Sequence, residues 1–181
     1  MSVYISLLRG INVGGARIIS MGALCELYSG LGFTRIRTYL QSGNVVFESP
    51  LKDQSQLGDH IEASIEQMYG YRVTVFMRDA QDFGRIIAGN PFQEEARSDP
   101  ARLHVSFLYH DPPEAAWGKL DLPAGIPDRL ARGDRAVYLY YPNGAAKTKI
   151  PSSYLEKALG VPITDRNWNT VNALYRLATE Q

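Results

Sequence analysis

Over its first half the sequence changes hydrophobic period in an order that few architectures accommodate. Val3–Leu8 is apolar on both faces, as a central strand is. Ser20 then precedes Met21, Leu24, Leu27, Tyr28 and Leu31, an N-cap followed by one helical stripe, with Gly32 as the stop. Ile36–Leu40 and Val45–Glu48 flank Gln41-Ser42-Gly43-Asn44 and read as a hairpin. Asp53-Gln54-Ser55-Gln56 has capping-box spacing ahead of Leu57, Ile61, Ile65 and Met68 on one helical face, ending at Gly70. Arg72–Met77 is rich in β-branched and aromatic residues, and Asp79 opens a short helix with Phe83, Ile86 and Ile87 that ends before Asn90-Pro91. The order β-α-β-β-α-β is the split βαβ, or ferredoxin-like, unit.

The second half repeats that order. Leu103–Tyr109 reads as a strand, Pro113–Lys119 as a short helix around Trp117, and Arg129–Ala131 with Ala136–Tyr141 as a hairpin. Ser153-Tyr154-Leu155-Glu156 has the spacing of a capping box for a helix ending at Gly160, and Pro162–Thr164 suits a short strand. Trp168, Val171, Leu174, Tyr175 and Ala178 lie at helical spacing, with Asp165 or Asn167 as the cap of that last helix. The expected class is α+β: two packed ferredoxin-like (βαββαβ) units plus a C-terminal helix. The boundaries are residues 1–89 for the first unit, 90–102 for a connector, and 103–181 for the second unit with its helix. The halves share no visible sequence identity, so the duplication is one of topology, and each alone is small for an independent core.

Composition removes several classes of function. Of 181 residues, 45% are hydrophobic and 21% charged, which argues against disorder. No segment reaches the roughly 18–20 uninterrupted apolar residues of a membrane span, so no membrane partner is expected. The first residues lack the basic stretch of a signal peptide, which makes the expected location cytoplasmic. A single cysteine, Cys25, excludes an internal disulfide framework and a cysteine-rich zinc site; beside Leu24 and Leu27 it reads as a buried, inert thiol. Three histidines leave little for metal chemistry, no metal ligands are assigned, and nothing names a cofactor or an oligomeric state. Net charge is zero but unevenly placed: residues 1–47 carry four basic side chains against one acidic, residues 129–176 eight against three, and residues 48–128 seven against fourteen. Two basic chain ends on a neutral protein suit an anionic ligand if folding brings them together.

The most unusual segment is Arg9-Gly10-Ile11-Asn12-Val13-Gly14-Gly15-Ala16-Arg17. Gly10 and Gly15 have P-loop spacing, yet Ala16-Arg17 stands where phosphate- and magnesium-binding Lys-Ser/Thr belongs, and Gly-x-Gly-x-x-Gly is absent. Two readings remain: outward backbone amides with Arg9, Asn12 and Arg17 cradling an anion, or a strained turn in which Gly14 and Gly15 only permit the backbone path. Gln41, Ser42 and Asn44 form a second polar loop, expected at the opposite edge of the sheet, so that the two loops need not share a site. Tyr138 and Tyr140 share one strand face, where aromatic residues stack bases in some open sheets, but the RNA-recognition consensus is missing and core packing is the preferred reading. Lys147 and Lys149 precede Pro151-Ser152-Ser153, whose helix start would reinforce an anion site. Arg166 and Asn169 have no evident capping duty.

Leu7–Gly15, Thr38–Phe47, Asn90-Pro91-Phe92, Tyr138–Gly144 and Arg166–Val171, in that order, make the chain resemble the bacterial domain of unknown function 1697 family. The resemblance runs from the first strand to the last helix and implies a two-part fold of ferredoxin-like units; it brings no activity. Lys149, rather than Lys147, best fits the lysine of a Ser-Lys-Leu-like string expected there. The functional expectation is a binding protein for a phosphate-bearing small molecule or nucleic acid. Its candidate contacts are Arg9, Asn12, Gly14, Gly15, Arg17, Gln41, Ser42, Asn44, Lys149, Arg166, Asn167 and Asn169. The alternatives are an enzyme acting on an anionic substrate, for which no base or nucleophile stands out, and a structural or assembly module without a ligand.

Overall fold

A computed structural model describes residues 1–180. Met1–Gly84, together with the chain from Ala173 onward, forms one compact unit, and Arg85–Asn172 forms a second.

The first unit runs β1 (Ser2–Leu8), α1 (Met21–Gly30), β2 (Thr34–Tyr39), β3 (Asn44–Ser49), α2 (Gln54–Tyr69), β4 (Val75–Asp79) and the start of α3 (Ala80–Ala88). Its sheet has the order β2-β3-β1-β4 with every neighbouring pair antiparallel, the ferredoxin-like arrangement that the alternating periods require. The helix starts follow the sequence. Ser20 Oγ accepts the Ala23 amide at 3.1 Å, Asp53 Oδ1 accepts Ser55 and Gln56, and Asp79 and Asp82 cap each other's amides at 2.7 and 3.0 Å. Leu24, Leu27 and Tyr28 of α1 and Leu57, Ile61 and Ile65 of α2 close over Tyr4, Leu8, Val45, Phe47 and Val75. Two expectations fail here: Met68, assigned to the buried face of α2, is exposed, and Cys25 is only half-buried.

The second unit holds the rest of α3, α4 (Gln93–Ser98), a 3₁₀ turn (Pro100–Arg102), β5 (Leu103–Leu108), α5 (Glu114–Trp117), β6 (Arg129–Gly133), β7 (Ala136–Tyr140), α6 (Ser152–Leu159), β8 (Ile163–Asn167) and the start of α7 (Trp168–Thr179). The sheet order β6-β7-β5-β8, again antiparallel throughout, repeats the first unit. Leu108, Val137, Leu139, Leu155, Leu159 and Ile163 make its core. Segment 90–102 is largely ordered into α4 and the 3₁₀ turn, and the division between compact units falls earlier, inside α3. Asp165, Arg166 and Asn167 belong to β8 rather than to the head of the last helix. The expected capping box at Ser153 is replaced: Pro151 stands at the N-cap, and the Glu156 carboxylate instead accepts the Ile163 amide at 2.8 Å.

Candidate functional site

The split βαβ connection returns β2 parallel to β1, with β3 inserted antiparallel between them, so β1 and β2 finish at one edge of the sheet. This corrects the expectation that the Arg9–Arg17 loop and the Gln41–Asn44 turn lie at opposite edges. They are built into each other. Leu8 N donates to Gly43 O at 2.8 Å. A Cβ at Gly43 would stand 2.7 Å from Leu8 Cβ and 2.8 Å from Ile11 Cδ1, at φ +75°, so only glycine lets the turn approach so closely.

Asn12 is the bracket of this double loop. Its carboxamide donates to Gln41 O at 2.7 Å and Ile19 O at 2.9 Å and accepts the Ile19 amide at 2.9 Å. Its own amide donates to Arg17 O at 3.2 Å. Asn12 therefore holds the loop's shape from within. Asn44 does the same for the turn: buried, it donates from Nδ2 to Tyr39 O and Ser42 Oγ, both at 2.9 Å.

At the tip, Ala16 N donates to Val13 O at 3.2 Å, and Gly14 and Gly15 have φ of +61° and +76°. That is the signature of a type I′ turn. The glycines answer a turn requirement. The turn nonetheless leaves the Gly14 and Gly15 amides exposed and donating to no group among the described residues.

The cations of residues 1–47 divide sharply. Arg35 pairs with Glu48 at 3.5 Å, and Arg37 donates to Glu180 O at 3.4 Å. Arg9 is half-buried, its amide donating to Thr74 O at 3.0 Å. Arg17 is exposed, and its guanidinium has no ion pair or hydrogen bond among the described residues. Its Nη1 lies 3.7 Å from where a Gly10 Cβ would stand, so the head lies against the start of the loop. Near it is a residue the sequence reading missed. The Tyr71 hydroxyl is buried without a hydrogen-bond partner among the described residues. Desolvation, with a smaller push from Tyr69, raises its pKa, while the positive charge of Arg17 acts in the opposite direction. Ser42 and Gln41 complete the exposed rim.

Two grooves elsewhere in this unit have a different character. One of about 460 Å³, lined by Leu27, Leu31 and Met68, holds no cation. The other, about 210 Å³, is lined by Asp59, Glu62 and Glu66, with Arg72 already paired to Glu66 at 3.0 Å.

Lys149, Arg166, Asn167 and Asn169 lie in the second unit. Lys149 and Asn169 are exposed. Arg166 is buried; desolvation lowers its pKa to about 10 against the opposing charge of Asp165, and Nη1 donates to Asp165 O at 2.7 Å and Thr164 Oγ1 at 2.9 Å. Asn167 donates to Ala101 O at 2.8 Å and accepts the Asn169 amide at 2.9 Å, capping α7. The same junction occurs in the first unit. Arg78 faces Ile5 across the sheet as Arg166 faces Val105, is likewise buried, and donates from Nη1 to the preceding carbonyl at 2.7 Å. Asp79 caps α3 as Asn167 caps α7. Arg166 and Asn167 are thus parts of a repeated strand-to-helix joint. The start of α6 does not favour an anion as expected, because the Asp165 carboxylate is there, accepting the hydroxyls of Ser152 at 2.5 Å and of Ser106. Tyr138 is buried with its hydroxyl donating to Ile86 O at 2.6 Å, which removes it as a base-stacking platform.

The family model for a protein of unknown function, DUF1697, matches residues 1–138, which include every part of the double loop. The chain belongs to the DUF1697 family. A solved structure, that of conserved bacterial protein SP0830 from Streptococcus pneumoniae, shares its fold: TM-score 0.76 at 23% identity, over 98% of this chain and 99% of that one. No curated protein matches the chain. Among the described residues no helix is long and apolar enough to cross a membrane.

Proposed function

We propose that this DUF1697 protein is a binding protein for an anionic ligand, held at the double loop of its first unit. The observation that carries this reading is Arg17, an exposed guanidinium without a partner among the described residues, beside a buried Tyr71 hydroxyl that also lacks one among them. A buried hydroxyl without a hydrogen bond costs about 1–3 kcal/mol, which an oxyanion accepting from it would return. The guanidinium fork matches the two oxygens of a phosphate or carboxylate, and the exposed Gly14 and Gly15 amides add neutral donors at the tip. Phosphate-bearing small molecules and nucleic-acid backbones both present such oxygens, and a nucleic-acid partner would show affinity falling steeply with salt.

The test is calorimetric titration with inorganic pyrophosphate as the probe. Arg17→Gln removes a charge-assisted contact worth about 1.5–3 kcal/mol and weakens binding roughly tenfold or more. Tyr71→Phe weakens it while raising the melting temperature of the free protein, since the hydroxyl it deletes is buried and bonds to nothing among the described residues. Equal affinity in wild type and Arg17→Gln overturns the reading.

A further inference from the structure

Five large hydrophobic side chains are strongly exposed among the described residues, and three of them belong to the double loop: Val13 at 65%, Ile18 at 66% and Leu40 at 57%. Their positions are not scattered. Asn12 ties itself to Ile19 and Gln41 through one carboxamide. Val13, Ile18 and Leu40 are the immediate chain neighbours of those three residues. The bracket thus holds in one double loop the chain positions of three solvated aliphatic residues and of the exposed Arg17, on a unit whose other exposed large apolar residues, Met1 and Met68, lie outside that loop.

We propose that the anion bound at Arg17 is a carboxylate presented by a protein segment, whose apolar side chains cover Val13, Ile18 and Leu40. This rests on the anion-binding reading above and narrows it. Solvated aliphatic residues concentrated in one loop mark an interaction site, and an exposed arginine among apolar residues is the composition of a protein-interface hot spot. Charge complementarity names the partner's chemistry. The loop and the start of α1, Arg9 to Cys25, hold no acidic residue, and Arg17 is exposed without an ion pair among the described residues, so an acidic segment meets attraction there. A single strand of nucleic acid calls for aromatic platforms and several cations along a groove; beside Arg17 stands Tyr71, packed against Tyr69 with its hydroxyl buried, and the strongly exposed large side chains of the loop are aliphatic, with one cation unpaired among the described residues. Self-pairing of the patch about a two-fold axis would set Arg17 against its own copy, which disfavours a symmetric dimer through this face.

The experiment is panning the full-length protein against a random dodecapeptide phage library, in parallel with an Ile18→Ser/Leu40→Ser double variant and with Arg17→Gln. Both residues are exposed, so the double variant folds as wild type does, which its melting curve checks. The expected outcome is a consensus carrying Asp or Glu beside aliphatic residues. Synthetic peptides of that consensus then bind wild type at least tenfold more tightly than either variant. Binding that Arg17→Gln abolishes and Ile18→Ser/Leu40→Ser leaves unchanged overturns the protein-segment proposal while preserving the anion site. Peptide binding indifferent to Arg17→Gln fails both. Enrichment of no consensus also overturns the proposal, as does a labelled oligothymidylate or oligouridylate that binds wild type and is released by the double variant. Sedimentation showing a dimer broken by Ile18→Ser/Leu40→Ser overturns it as well, since the occupant is then a second copy.

Discussion

Asn12 and Arg17 stand five positions apart in one loop, and the structure gives them opposite duties. Asn12 spends its carboxamide on Ile19 and Gln41, while the Arg17 guanidinium makes no bond among the described residues. Asn12→Ala therefore unties the double loop and costs about 1–3 kcal/mol, because it strips partners from several backbone groups at once. Arg17→Gln stays within about 0.5 kcal/mol of wild type, as exposed substitutions do. Urea unfolding of the two variants checks the contrast. From sequence alone both residues looked like ligand donors. Telling brace from donor needs the strand order, which places Gln41 beside Asn12 although 29 residues separate them. Tyr71 was invisible for a related reason: it sits just ahead of an apolar run that reads as strand, and nothing local shows that its hydroxyl ends up buried without a partner.

At the scale of elements, local chemistry was legible wherever the partner is local. Ser20, Asp53 and Asp79 cap helices as their spacing indicates. Misreadings arose where a side chain found a distant partner instead, as Glu156 did in the Ile163 amide. Of the two caps offered for the last helix, Asn167 is the one that caps α7, whereas Ser106 and Ser152 hold Asp165 within the sheet. Asn167→Ala removes the cap of α7 together with the bond to Ala101 O and lowers stability by about 1–2 kcal/mol, read as a shift of the urea midpoint. On β5, desolvation holds His104 below its ordinary pKa of 6.5, with the Asp165 charge opposing. The unfolded chain consequently takes up the proton more readily. Stability is intact above pH 6.5 and declines as pH falls from there through the lowered folded value. Urea midpoints measured down that range show the decline, and His104→Asn flattens it.

For the whole molecule, the alternation of periods settled the duplicated β-α-β-β-α-β topology, which both sheets display. What it left unread is that the chain from Ala173 onward groups with Met1–Gly84, a closure across nearly the full sequence that no local pattern encodes. Arg37 reaches Glu180 O, and a Cβ at Gly84 would stand 3.4 Å from the Tyr175 ring and hydroxyl. Truncation after Asn172 therefore loosens the first unit: amide exchange in β1 and β3 accelerates relative to the full chain, whereas a purely local role for the helix end would leave those strands protected. The uneven charge is likewise a whole-chain property with a local consequence, since of the four arginines in residues 1–47 the one exposed and unpaired among the described residues is Arg17. The decisive measurement is a two-dimensional amide NMR titration of the full chain with inorganic pyrophosphate. Saturable shifts of the Gly14 and Gly15 amides that vanish in Arg17→Gln are the expected result. Shifts confined to other parts of the chain, or unchanged by Arg17→Gln, contradict an anion site at the double loop.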